Sequence, residues 1–141
     1  MPLHLIRVAA GRQSVEELAE IQAHYRTVAG RDVVHILTGI APRRIEEIEA
    51  GGSLYWIIKG AIQARQRVIG IDRLEEPEHG KGCRFRLDPE IVLTEVRPRR
   101  PHQGWRYLKD EDAPPDRGKM ADGAEGLPPA LMAELRDLGL V

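Results

Sequence analysis

One cysteine, six aromatic residues and no long apolar run set the first limits on this chain. Cys83 alone forms no intrachain disulfide and no thiolate zinc site, which fits a reducing compartment. The five histidines, at 4, 24, 35, 79 and 102, share no metal-ligand spacing with one another or with Cys83, so neither metal nor other cofactor is expected. No stretch approaches the roughly 18 apolar residues of a membrane span. Met1 to Arg7 lacks the basic and apolar regions of an export signal. A cytoplasmic protein without a membrane partner is the expectation. Walker A, Gly-x-Gly-x-x-Gly, Gly-x-Ser-x-Gly and His-Glu-x-x-His patterns are also missing, which removes the usual support for nucleotide and hydrolase chemistry and leaves no catalytic residue to name.

What is present suits one globular domain spanning 1–141, with 42% hydrophobic and 30% charged residues. Leu3 to Ala10 reads as a strand that stops at Gly11. Ser14 and Glu17 form a capping box, and Leu18, Ile21, Tyr25 and Val28 recur at helical spacing up to Gly30. A strand over 33–40 and a short helix after Pro42, carrying Ile45 and Ile48, come next. From Ser53 strands dominate: 54–59, then a long run to Leu74 with Gly60 and Gly70 as bends. Cys83-Arg84-Phe85-Arg86-Leu87 alternates cleanly, with Cys83 on its apolar face, and another strand covers 91–96. Residues 110–126 are acidic and rich in Gly and Pro, predicting an exposed loop, and 127–139 carry Leu131, Leu135 and Leu138 as a terminal helix. The expected fold class is α+β, with a mixed, mainly antiparallel, partly barrel-like sheet and flanking helices.

Charge is segregated along the chain. Residues 1–52 are almost neutral, residues 53–109 carry net +5 and residues 110–141 net -5. A basic middle attracts polyanions, and an acidic tail can equally neutralise it from within. Two constellations stand out in that middle. Lys59, Gln63, Arg65 and Arg67 lie along consecutive strands, with 63, 65 and 67 on one face if the strand is regular. Such a ladder grips phosphates, or is an ordinary solvated strand face that discourages edge pairing. Arg97, Arg99, Arg100 and Arg106 surround Trp105 and Tyr107, the pairing of stacking platform and cation used by single-stranded nucleic-acid sites. The structural alternative folds Trp105 into the core and pairs the arginines with the acidic tail.

The strings Gly52-Ser53-Leu54-Tyr55-Trp56-Ile57-Ile58-Lys59-Gly60, Ile62 to Arg67 and Arg97-Pro98-Arg99-Arg100-Pro101-His102-Gln103-Gly104-Trp105-Arg106-Tyr107-Leu108, with Met1 to Ile6, resemble a bacterial family of proteins of unknown function over nearly the whole chain. That resemblance implies membership and brings no reaction or ligand. More loosely, the Tyr55-Trp56 strand and Val68 to Ile71 look like the small barrels of the PUA-like group, although no diagnostic motif is complete. The likeness implies Trp56, Trp105 and nearby arginines as candidates to line a base pocket. The leading expectation is a non-catalytic binding protein that engages RNA or another nucleic acid through Lys59, Arg65, Arg67, Arg97, Arg99, Arg100, Trp105, Arg106 and Tyr107. The alternatives are an enzyme on a nucleotide or other anionic small molecule, with arginine clamps and a base such as His102, His35 or a carboxylate, and an interaction protein that forms a homodimer through its tail.

Overall fold

The structure is a computed structural model that describes residues 2–119. Its order is β1 (Leu3–Val8), α1 (Val15–Ala29), β2 (Val34–Thr38), α2 (Ile45–Glu49), β3 (Ser53–Ile58), β4 (Ala61–Glu78), β5 (Lys81–Leu87), β6 (Val92–Pro98), β7 (Trp105–Lys109), a single 3-10 turn at Asp110–Asp112, and β8 (Asp116–Lys119). The fold is α+β, a mixed and mainly antiparallel sheet curled into a half-barrel with two helices. Strands follow the order β2-β5-β4-β3-β1-β7, and β1 with β3 is the parallel pair. The predicted terminal helix at 127–139 lies outside the described residues.

β4 organises the sheet because it is long enough to have different neighbours along its length. Residues 61–67 pair with β3, residues 61–65 with β6, and residues 68–78 with β5. The long basic run that the sequence placed between two glycine bends is therefore one strand. Gly60 lies in the two-residue turn before it, where Lys59 (φ 51°) and Gly60 (φ 74°) both take the left-handed conformation of a tight hairpin. The register shifts between Val68 and Gly70, where a Cβ on Gly70 would fall 2.2 Å from the Arg86 guanidinium.

β3 is buried at every position because the sheet is covered on both faces. Leu54, Trp56 and Ile58 join the main core with Leu5, Phe85, Leu87 and the helix residues Val15, Leu18 and Ile48. Tyr55 and Ile57 point the other way, into a second cluster with Ile6, Ile62 and Leu108. Cys83 is buried beside Phe85 and Leu87, as the alternation of β5 requires, while Arg84 and Arg86 on the opposite face pair with Asp72 at 3.1 and 2.9 Å. α1 begins at Ser14, whose Oγ accepts from the Glu17 amide at 3.1 Å, and ends at Gly30 in the left-handed conformation.

The two ends of the curled sheet meet through side chains. β2 ends the sheet on one side and β7 on the other, and the segment after β2 receives the aromatic residues of β7. Trp105 Nε1 donates to the Ile40 carbonyl at 2.7 Å, and the Tyr107 hydroxyl accepts from the Arg43 and Arg44 amides at 2.9 and 3.2 Å. Arg7 on β1 reaches the Leu37 carbonyl of β2 at 3.5 Å.

The segment 110–119 departs from the open acidic loop expected of it. Asp110–Asp112 is a 3-10 turn, and β8 pairs antiparallel with β6. Specific partners outweigh its composition: Asp116 makes a two-pronged contact with Arg65 at 2.7 and 2.8 Å, and Asp110 accepts from His4 at 2.7 Å. Since the Ser53 amide donates to His4 Nδ1 at 2.9 Å, the neutral ring carries its proton on Nε2, and both nitrogens are engaged in structure. The remainder of the predicted loop, 120–126, lies outside the described residues.

Candidate anion-binding site

α1 presents Leu18, Ile21, Gln22, Tyr25 and Arg26 along one stripe, at the i, i+3, i+4, i+7, i+8 spacing of a single helix face. The stripe borders a cleft of about 390 Å³ that is completed by the end of β1, the loop after it, and β2. Arg7 and Arg12 enter from β1 and its loop, Arg31 and His35 from the approach to β2 and β2 itself, and Trp56 of β3 lies among the apolar lining. Among the described residues no aspartate or glutamate lines it.

Arg12 is paired with Glu17 at 3.4 Å. Arg7, Arg26 and Arg31 carry no ion pair among the described residues. Burial pushes the Arg7 guanidinium below its usual pKa. Arg26 Nε and His35 Nδ1 are buried with no hydrogen-bond partner among the described residues. Buried donors left this way cost roughly 1–3 kcal/mol each, and more when charged. The desolvated Arg7 guanidinium and the unpartnered Arg26 Nε on one concavity suit a counter-charge seated between them.

Beneath the cations the floor is rigid. Gln66, fully buried in β4, donates to Gln22 Oε1 at 2.7 Å and to the Asp88 carbonyl at 3.0 Å. Its own Oε1 accepts from Gln22 Nε2 at 2.8 Å and from the Trp56 indole at 2.9 Å. All four hydrogen-bonding positions of the Gln66 amide are thus filled, which fixes the Trp56 ring and the Gln22 carboxamide in orientation. Gln22 keeps one N–H beyond this reciprocal pair.

The residues singled out in sequence are dispersed. Arg65 faces the second side of the sheet, bonded to Asp116 and to Ser53 Oγ at 2.9 Å, and its pKa is raised first by the Asp116 hydrogen bond. Arg67 is exposed beside Asp88, Glu90 and Asp116. The ladder is interrupted at Gln63, where β4 changes register against β3 and the side chain turns to the Ile58 carbonyl at 2.7 Å. Trp105 and Tyr107 stand edge to face at 5.0 Å, with the Arg44 guanidinium 6.0 Å over the tyrosine ring. Lys59, Arg97 and Arg99 come together at the β3–β4 turn, where the Arg99 amide donates to the Gly60 carbonyl at 2.9 Å. Arg97 donates to the Asp112 carbonyl at 3.1 Å, Arg99 and Arg106 act on His102, and Arg100 is exposed.

The cleft residues Arg7, Arg12, Gln22, Arg26 and Arg31, and Gln66 behind them, were not among the sequence candidates. Their signal is Gln22 and Arg26 on the core-facing stripe of α1 and Arg7 within an apolar strand. Among the described residues no group of three or more His, Cys, Asp and Glu could hold a metal ion, and no helix is long and apolar enough to cross a membrane.

Burial lowers the pKa of His35, with Arg31, Arg84 and Arg86 adding to the effect and Asp72 opposing it, and burial is also the largest cause of the lowered value at His102. In the unfolded chain both titrate near about 6.5. Between that value and their lower folded values the unfolded state holds more protons, so stability falls as pH drops. Asp72 and Asp116 have lowered folded pKa values, so their contribution is lost only in stronger acid. Thermal unfolding followed from pH 7.5 to 5.5 is expected to show a falling midpoint, and a His35→Asn, His102→Gln variant a flatter profile.

The fold and its cleft define an α+β half-barrel with a cationic, partly apolar concavity beneath its longer helix. The chain belongs to the DUF1489 family of proteins of unknown function, whose model matches residues 5–141. Neither the curated proteins nor the solved structures provide a match.

Proposed function

We propose that this is a binding protein for a small phosphate-bearing anion seated in the α1–β1–β2 cleft. The observation that carries this function is the convergence of Arg7, Arg26 and Arg31 on a concavity where, among the described residues, none of the three has a paired carboxylate and no acidic side chain is in the lining. Guanidinium groups are weakly hydrated and bind phosphate oxygens in pairs, which suits them to a half-buried site of this kind. Binding is favoured over turnover because the lining offers no carboxylate, thiol or serine, and His35 is its sole titratable imidazole. Calorimetric titration with inorganic phosphate and pyrophosphate at low ionic strength is expected to give saturable binding of one anion per chain, lost in Arg26→Ala. Absence of saturable binding to either anion counts against the site.

A second function, RNA or other nucleic-acid binding, is favoured by one observation: the gathering of Lys59, Arg97 and Arg99 at the β3–β4 turn, near Arg106, with no carboxylate paired to any of them among the described residues. Trp105 and Tyr107 would then contribute through the ring surfaces their bonds to residues 40–44 leave open. Arg65 and Arg67 lie farther along β4, beside acidic neighbours, and would extend the contact only after exchanging those partners.

A further inference from the structure

We infer that the anion is a single nucleotide, its phosphate held by Arg7, Arg26 and Arg31 and its base set against Tyr25 and the apolar wall; this rests on the cleft being the anion site proposed above. A volume of about 390 Å³ sits toward the small end of the roughly 300–1,000 Å³ typical of small-molecule pockets. It has room for one nucleotide. Inorganic phosphate alone would leave the Ile21 side of the cleft facing water, so the apolar surface calls for a ligand that carries more than charge.

Three features select a planar, polar-edged group over an aliphatic one. Tyr25 immediately precedes Arg26 in α1, lines the same cleft and is 66% exposed, an aromatic ring with a large open surface beside the cations. Trp56, 3% exposed, lies in the cleft wall with its indole N–H already tied to Gln66, so it adds apolar lining and no competing donor. Gln22 is fixed by its reciprocal pair with Gln66 and retains one N–H, a directed donor for a ring nitrogen or carbonyl. Aromatic stacking with adjacent guanidinium groups is the general chemistry by which proteins hold one base and its phosphate.

The test titrates the full-length protein with inorganic phosphate, ribose 5-phosphate and the four ribonucleoside 5′-monophosphates. At least one nucleotide is expected to bind about tenfold tighter than ribose 5-phosphate, the scale of one base–aromatic stack. Tyr25→Ala should erase most of that difference and Tyr25→Phe should keep it, while Arg26→Ala should weaken phosphate and nucleotide alike. Ribose 5-phosphate binding as tightly as every nucleotide overturns the inference and leaves the anion site standing. No binding by any of these compounds overturns both. An RNA oligonucleotide that binds without competition from mononucleotides also overturns the inference and moves recognition to the β3–β4 turn.

Discussion

The double variant Arg7→Met, Arg26→Met is expected to melt at a higher temperature than the natural protein while binding phosphate about a hundredfold more weakly. The two effects share one cause. Arg7 is half-buried, with desolvation lowering its pKa, and makes one long contact to a carbonyl, so its charge is poorly compensated in the folded chain. Arg26 has a buried Nε with no partner among the described residues. Methionine keeps the apolar stem of each side chain and removes the charge, and replacing poorly compensated buried charge with a hydrophobe is often neutral or stabilising. A gain of about 1 kcal/mol would raise the midpoint by roughly 2–4 °C for a domain of this size. Charged hydrogen bonds contribute about 1.5–3 kcal/mol each, so losing two accounts for the fall in affinity. Scanning calorimetry with phosphate titration checks both arms. A lower melting temperature would assign the arginines to structure and count against a site held at the expense of stability.

Gln66→Leu is expected to act in the opposite sense, lowering stability by about 3–4 kcal/mol and the melting temperature by roughly 10 °C. The side chain is 0% exposed and filled on all four hydrogen-bonding positions, so its loss strands the Gln22 carboxamide, the Trp56 indole N–H and the Asp88 carbonyl. Removing one partner of a buried pair is more damaging than removing both. Gln22→Leu added to Gln66→Leu should therefore recover part of the loss in chemical denaturation, the midpoint of the double variant lying above that of Gln66→Leu alone. Equal or lower stability in the double variant would show that the amides act independently. The network spans α1, β3 and β4, so its loss also frees the floor of the cleft, and weaker ligand binding should accompany the loosened fold.

Architecture was largely legible because local signals and tertiary packing agree in most elements. The Ser14–Glu17 cap, the alternation of Cys83, Phe85 and Leu87, and the aromatic β3 each follow from short-range patterns that burial then reinforces. The hairpins at Lys59-Gly60 and His79-Gly80 each pair a glycine with a non-glycine residue at positive φ. The candidate site was harder to see because charge counted along a chain ignores pairing across it. The middle segment has the largest positive excess, yet Arg65, Arg84 and Arg86 have carboxylate partners. The first third is almost neutral in sum, yet its Arg7, Arg26 and Arg31 meet in space while Glu16, Glu46 and Glu47 lie away from the cleft lining. Tyr25 shows the same limit: helical spacing assigned it to a buried stripe, and the helix leaves it 66% exposed. The nucleic-acid surface expected at Arg97 to Tyr107 is partly drawn into the seam of the sheet by bonds from Trp105 and Tyr107 to residues 40–44.

Because β4 pairs with β3 and β6 along its first half and with β5 along its second, folding errors in it are rejected from both ends. A one-residue slip of any strand exchanges its inward and outward side chains. In β4 that exchange would drive Arg65 and Arg67 toward the main core in place of Ala64, Gln66 and Val68. Since β3 reads residues 61–67 and β5 reads residues 68–78, a slip accepted by one neighbour must be absorbed in the short segment between them or rejected by the other. The irregularity beside Gln63 falls in the pairings with β3 and β6, and those beside Gly70 and between Arg73 and Glu78 fall in the pairing with β5, so the two halves of the strand depart from simple alternation independently. One strand thereby proofreads the alignment of the whole sheet, with each half checking the other.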